Sequence, residues 1–356
     1  MHRFLIAIVI LSIPAQLGCQ SGSQAAAKVA TPAVTKAPAQ LSTSTAQETP
    51  ETAKPVGPVA PADQDPRLVL AAREFNGGRA FNHLVAQCNF GPRIPGMPGH
   101  RKTRDYIVNH MKAQGFTVEL QKFNKYSAIM KKTLAFENII ARLDTPSTQT
   151  VVMSCHWDTR PIADRDLNPA NRKTPILGAN DAGSGVAVLL ELAANYKKHE
   201  PPTDLIFLFF DAEDYGGLGF DEQWCMGSQY MADHPPKDFE FVVGVNLDMV
   251  GEREQGESTQ VFYIEPNSLT TAKKWTNDIW TVGSALYPRN FTFVKTTAII
   301  DDHLPFVEKG LPFLDIIDLE YPAWHTLGDL PNQCSAESLN RIGKTMTQWL
   351  FTHFKN

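Results

Sequence analysis

The stretch from Asp204 to Gly217, reading DLIFLFFDAEDYGG, restricts the fold more than any other part of the 356-residue chain. Leu205 to Phe210 is an unbroken apolar run, rich in Phe and Leu and too short to favour a helix. That is the pattern of a strand buried on both faces at the centre of an α/β sheet. The run stops at Asp211, Glu213 and Asp214, followed by Tyr215 and two glycines. Open α/β sheets bind ligands just outside the carboxyl ends of their strands. A carboxylate cluster there is either a metal and acid/base site or a solvated turn. The choice depends on whether other strand ends carry the same residue types.

The rest of the chain supplies the other strands. Phe81 to Gln87 reads as the end of a helix, NFGPRIPGMPGH breaks regular structure, and His100 to Gln114 is a helix stopped by Gly115. Phe116–Phe123, Asn138–Leu143 and Thr150–Cys155 read as strands. A long polar loop with Pro161, Asp164, Asp166, Pro169 and Pro175 leads to LGANDAGSG. A helix over 183–196 follows, with Val186, Leu189, Leu190 and Ala193 at core-facing spacing. Beyond the central strand come a strand over Phe241–Leu247 and helices over Leu269–Leu286 and His303–Lys309. A last strand over Pro312–Ile317 precedes a closing amphipathic helix through Leu339, Ile342, Met346, Trp349 and Leu350. Strands alternating with helices predict an α/β fold, a central mixed, largely parallel β-sheet flanked by helices on both faces.

That domain is expected to occupy residues 65–356. Ahead of it, His2 and Arg3 precede the apolar run Phe4–Ile13, which is too short to span a bilayer and has signal-peptide proportions. Gly18-Cys19 resembles a bacterial lipoprotein cleavage site, although Gln16 stands where such sites usually carry Leu. Residues 1–19 are therefore expected to direct export to the periplasm or cell envelope, with a lipid anchor at Cys19 as the sole membrane contact. Residues 20–64, rich in Pro, Ala and Thr, bury too little apolar surface to offset their ordering entropy and read as a disordered tether. A net charge of -5 argues against a nucleic-acid partner. Cys88, Cys155, Cys225 and Cys334 allow three complete disulfide pairings, or buried free thiols, and the sequence does not choose.

Several strand ends repeat the residue types of the central one: His156 and Asp158, Glu213 and Asp214, Asp248, and His325 after the last strand. Asp181 sits in the glycine-rich turn before a helix. Singly, each has a plain explanation: a satisfied core histidine, a helix N-cap, a turn residue. Together, two imidazoles and several carboxylates at one sheet edge suit zinc.

HWD, GANDAGSG, the Glu213-Asp214 pair, NLDMVG and the late His325, in this order, resemble the zinc aminopeptidase family with its co-catalytic zinc pair. The resemblance runs from about Phe81 to Phe354. Trp224, the DDHLPF run from Asp301 to Phe306, and Trp324 before His325 resemble its glutaminyl cyclase branch, the animal-type glutaminyl-peptide cyclotransferases, which use one zinc. The resemblance implies Asp181, Asp214 and His325 as zinc ligands and Glu213 as general acid/base. It implies Asp248 and Asp301 as a supporting hydrogen-bond network, and Trp224 and Trp324 as walls of the substrate pocket rather than core tryptophans. Two departures stand out. The family often has Glu-Glu where this chain has Glu213-Asp214, and animal cyclases carry His at the position of Asp315.

The expected activity is conversion of N-terminal glutamine in peptides or proteins to pyroglutamate with release of ammonia. The substrate's own amine attacks its γ-carboxamide, so no water nucleophile is needed. The competing reading is a di-zinc aminopeptidase, with His156 and Asp248 holding a second zinc, Asp181 bridging and Glu213 activating water. A third is a non-catalytic binding ectodomain on the same fold. Oligomeric state is open.

Overall fold

The computed structural model describes residues 66–256 and 259–354. The expected signal sequence, Cys19 and the tether lie outside the described residues. Helices α1 (Pro66–Glu74), α2 (Gly77–Phe90) and α3 (Pro98–Ala113) lead into a hairpin of β1 (Thr117–Ser127) and β2 (Lys132–Leu143), then β3 (Thr150–His156). There follow α4 (Gly183–Lys198), β4 (Asp204–Phe210), α5 (Met226–Asp233), β5 (Val243–Asp248) and β6 (Phe262–Ile264). The chain closes with α6 (Ser268–Thr271), α7 (Lys273–Leu286), β7 (Phe291–Lys295), α8 (Leu304–Glu308), β8 (Phe313–Ile317) and α9 (Ala336–His353).

The main sheet has the order β1-β2-β4-β3-β5-β8. β4, β3, β5 and β8 run parallel, and β2 is antiparallel to both its neighbours. The apolar run that suggested a doubly buried strand divides by the two-residue period of a strand. Leu205, Phe207 and Phe209 enter the larger core with residues of α2, α4, α7 and α9. Ile206, Leu208 and Phe210 enter a smaller one with Met231 of α5 and Phe306 of α8. Helices thus cover both faces, as expected. Gly185 lets α4 approach the sheet closely, since a Cβ there would lie 2.3 Å from the Leu247 carbonyl oxygen and 2.8 Å from Cys155 Cβ.

Some boundaries differ from expectation. β2 begins at Lys132 rather than Asn138 because it continues the hairpin in unbroken register, Ser127 opposite Lys132 and Thr117 opposite Arg142. The helix expected over Leu269–Leu286 divides at Ala272 into α6 and α7. The short parallel pair β6–β7 and helices α1 and α5 were not anticipated. Cys88, Cys155, Cys225 and Cys334 are buried free thiols. No helix among the described residues is long and apolar enough to cross a membrane.

Just past β8, Asp318 is fully buried and Glu252 nearly so. Burial, then a hydrogen bond and repulsion from Glu252, push the Asp318 carboxyl up to about 9. The folded chain therefore keeps a proton that the unfolded chain loses above its ordinary value near 4. Stability should fall as pH rises between about 4 and 9, by up to about 1.4 kcal/mol per unit for this one proton. Asp318→Asn is expected to raise the urea midpoint at pH 8 by more than at pH 5. An equal shift at both would show that Asp318 is ionised in the fold.

Candidate active site

The parallel strands deliver the sequence candidates to one edge. β3 ends on His156, β5 on Asp248, Glu213 and Asp214 follow β4, and Asp181 precedes α4. Local backbone geometry turns them inward. Ala212 has φ +62°, and His325 has φ +56°. A non-glycine residue in this region costs about 1–3 kcal/mol and persists where its surroundings fix it. Beyond Ala212, the Glu213 and Asp214 amides donate to the Asp158 carboxylate at 3.1 and 3.3 Å. Asp158 is thus the anchor of the turn, which is how the structure uses the last residue of HWD. Asp211 leaves the cluster. Its Oδ2 accepts from the Glu137 amide at 2.8 Å and lies 2.9 Å from His100 Nε2.

Two of the four buried triads that could hold a metal among the described residues are His156/Asp181/Asp248 and Asp181/Asp214/His325; the others are Glu213/Cys225/Asp301 and Asp301/His303/Asp315. Each brings one donor atom per residue within 4.8 Å of the others, and Asp181 belongs to the first two. His156 Nε2 lies 3.0 Å from Asp181 Oδ1 and 3.3 Å from Asp248 Oδ1, and its Nδ1 lies 3.4 Å from Asp158 Oδ1. His325 Nε2 lies 3.2 Å from Asp214 Oδ1 and 3.6 Å from Asp181 Oδ2. Asp181 Oδ2 and Asp214 Oδ2 are buried with no hydrogen-bond partner. An imidazole beside two carboxylates that each keep one orphaned buried oxygen suits zinc, which would satisfy both. His325 Nδ1 faces the Asp164 carboxylate at 3.5 Å, the outer partner that orients a ligating histidine.

Glu213 stands beside this set. Its Oε1 accepts from the Cys225 thiol at 3.4 Å, and its Oε2 lies 3.9 Å from His156 Nδ1. Burial, then the charges of Asp214, Asp302 and Asp301, hold its carboxyl well above the ordinary range, with His156 opposing. Asp214 goes the other way. Burial would raise it, but His325 and Arg160 outweigh that and hold it below the usual carboxylate range. The two adjacent carboxyls are therefore pushed in opposite directions.

Behind Asp248, Asn246 donates to Asp301 Oδ1 at 3.1 Å and to Asp315 Oδ1 at 3.2 Å, and its own Oδ1 accepts from Ser154 at 2.8 Å. Burial and Asp248 push Asp301 up to about 6, and burial and Asp301 push Asp315 well above its ordinary value. Trp224 and Trp324 both lie against His325, with ring centroids 6.0 and 4.1 Å from its imidazole. Each is half-buried, and Trp324 also packs against the small cluster of Met249, Ile317 and Tyr321.

Four contributors had no part in the sequence reading of the site. Arg160 and Asp164 sat in the stretch read as polar loop. Cys225 was counted only as a possible disulfide partner. Asp329 accepts from the amides of Asn180 and Asp181 at 2.9 and 3.2 Å and from Tyr321 at 2.7 Å, fixing the Asp181 backbone. Its one sequence signal is its place in the HTLGD run that begins at His325.

Residues 138–350 match the description of peptidase family M28. A glutaminyl-peptide cyclotransferase of Drosophila melanogaster is 29% identical over 264 residues, covering 67% of this chain and 70% of that protein. The Porphyromonas gingivalis glutaminyl cyclase structure is 34% identical with a TM-score of 0.73, over 78% of this chain and 98% of that one. A leucine aminopeptidase precursor from Bacteroides thetaiotaomicron is 31% identical with a TM-score of 0.74, over the same shares.

Proposed function

The chain belongs to peptidase family M28, and we propose that it works there as a glutaminyl-peptide cyclotransferase using one zinc ion. Its substrates are peptide and protein N-termini that begin with glutamine. The observation that carries the division of roles is the placement of Glu213. It is a buried carboxyl outside the Asp181/Asp214/His325 triad but next to it, and the rings of Trp224 and Trp324 lie against the His325 of that triad.

In this reading Asp181, Asp214 and His325 would hold the zinc. Zinc bound there supplies a Lewis acid for the γ-carbonyl of the glutamine. Cyclisation forms a bond from the α-nitrogen to the δ-carbon, the carbonyl carbon of the γ-carboxamide, and breaks that carbon's bond to the amide nitrogen. One proton must leave the amine and one must reach the departing ammonia. Glu213 serves both transfers, because its environment favours the protonated form while a positioned amine can still give it a proton. Trp224 and Trp324 fold the side chain back toward its own amine, supplying proximity. Asp248 and Asp301 steady the inner wall behind Glu213. Export to the periplasm or envelope, with a lipid at Cys19, belongs to the same reading and is supported by the sequence of residues 2–19.

The test is to incubate zinc-loaded protein with a Gln-initiated and a Leu-initiated peptide and weigh the products. Loss of ammonia from the first, with the second intact, is expected. Free leucine from the second, with no ammonia from the first, would make the protein an aminopeptidase. A protein that holds no metal and changes neither peptide would be the binding ectodomain.

The network behind Asp248 yields a milder prediction. Asp315 is buried beside Asp301, and its Oδ2 has no hydrogen-bond partner. Three carboxyls this close cannot all ionise cheaply, so one holds a proton at neutral pH. Asp315→Asn supplies a neutral group of the same shape and should change kcat/KM by less than about tenfold. Loss of activity or folding in that variant would mean that Asp315 works as an anion.

A further inference from the structure

Arg160 lies in the loop after β3 and is 2% exposed. Its Nε and Nη2 donate to Asp164 Oδ1 and Oδ2 at 2.7 and 2.8 Å. Its Nη1 donates to Asp214 Oδ1 at 2.9 Å and to the Asp214 carbonyl at 3.2 Å, and Nη2 reaches the Gly216 carbonyl at 3.1 Å. These bonds use all five N–H groups that a guanidinium offers. Its carbon sits 4.7 Å from the centroid of the Trp224 ring. One side chain therefore touches the carboxylate of Asp214, the carboxylate that orients His325, and the ring of Trp224.

We propose that Arg160 is a positioning residue of the zinc site: by holding Asp214 through both Oδ1 and its carbonyl it fixes the direction of that carboxylate, and through Asp164 it sets the ring of His325. The inference rests on the reading that Asp214 and His325 are zinc ligands. A carboxylate with both oxygens free can swing between one-oxygen and two-oxygen coordination. Asp214 is restrained, because Nη1 holds both its Oδ1 and its own carbonyl and only Oδ2 is without a hydrogen bond. A bare cation beside a zinc site would oppose the metal. Here Asp164 accepts two of the N–H groups and offsets that charge, so Arg160 contributes direction without net repulsion. Lysine would supply a charge at one point but could not bridge Asp164, Asp214 and Gly216 together.

The plain alternative is that Arg160 only ties the loop after β3 to the turn after β4. Zinc affinity and metal geometry separate the two, measured by chelator competition and by the visible spectrum of cobalt-loaded protein. Wild type, Arg160→Lys, Arg160→Met and His325→Ala are compared, each checked for folding by circular dichroism. Arg160→Lys is expected to stay folded and bind zinc roughly 10–100-fold more weakly, the usual cost of losing an outer partner. Its cobalt bands should change in position or intensity, since a released Asp214 would coordinate differently. Arg160→Met should show the same changes or larger ones. Unchanged zinc affinity and cobalt spectrum in both Arg160 variants, with binding lost in His325→Ala, would overturn the proposal alone. Zinc retained undiminished in His325→Ala would overturn the ligand reading and the proposal with it. Failure of both Arg160 variants to fold would also overturn it, making Arg160 a structural tie.

Discussion

Glu213→Gln should leave the fold and zinc content intact and lower kcat by about 10²–10⁴-fold, the range for loss of a positioned acid/base. The substitution keeps the shape of the side chain, and a glutamine oxygen can still accept from the Cys225 thiol where Oε1 does now. The turn is held from elsewhere, by the Glu213 and Asp214 amides on Asp158. Glu213 is also outside the Asp181/Asp214/His325 triad, so the metal loses no ligand. What disappears is the carboxyl that, in this reading, takes a proton from the substrate amine and returns it. The readout is pyroglutamate formation by mass spectrometry, with zinc per chain measured on the same sample. A variant of verified sequence that turns over at near the normal rate would remove Glu213 from the mechanism.

What the sequence revealed about this site follows from how each residue is placed. Leu205–Phe210 could be read as a doubly buried strand because parallel sheet is covered on both faces, and the two cores divide that run residue by residue. Glu213, Asp248 and His156 were visible because residues at the ends of parallel strands share an edge whatever their order in the chain. Asp211 reads with Glu213 and Asp214 as one carboxylate cluster because all three follow directly on the end of the apolar run. The positive φ of Ala212 reverses the chain between Asp211 and Glu213, and no residue type there announces it, since alanine is not a turn signal. Arg160 and Asp164 were hidden for a different reason. A buried guanidinium is defined by the carbonyls and carboxylates around it, which come from Asp164, Asp214 and Gly216. Their nearest sequence signal is an Arg and an Asp four apart in a segment with no helical pattern. The division of Leu269–Leu286 at Ala272 was equally silent, because alanine is the strongest helix former and nothing nearby breaks the pattern.

His325→Ala should abolish zinc binding, whereas His156→Ala should keep about one zinc per chain by the ligand count. His325 is the only nitrogen donor of its triad, the other two being the carboxylates of Asp181 and Asp214. Removing it strips a neutral ligand and leaves two buried anions facing each other, so the loss should exceed the roughly 10–100-fold cost of an outer partner. His156 is placed otherwise in this reading. Its Nε2 lies within 3.3 Å of both Asp181 and Asp248 and its Nδ1 faces Asp158, so the ring can fill the second triad by hydrogen bonds alone. A cyclase needs no bound hydroxide, because the nucleophile arrives with the substrate, and one Lewis acid is enough. An aminopeptidase must activate water, and two-metal sites serve that purpose. Metal counting on the two variants therefore decides between chemistries as well as between ligand sets. Two tightly held zinc ions in wild type, one of them lost in His156→Ala, together with leucine release, would assign the chain to hydrolysis. One zinc that survives His156→Ala, together with ammonia from the glutamine peptide, is the outcome expected.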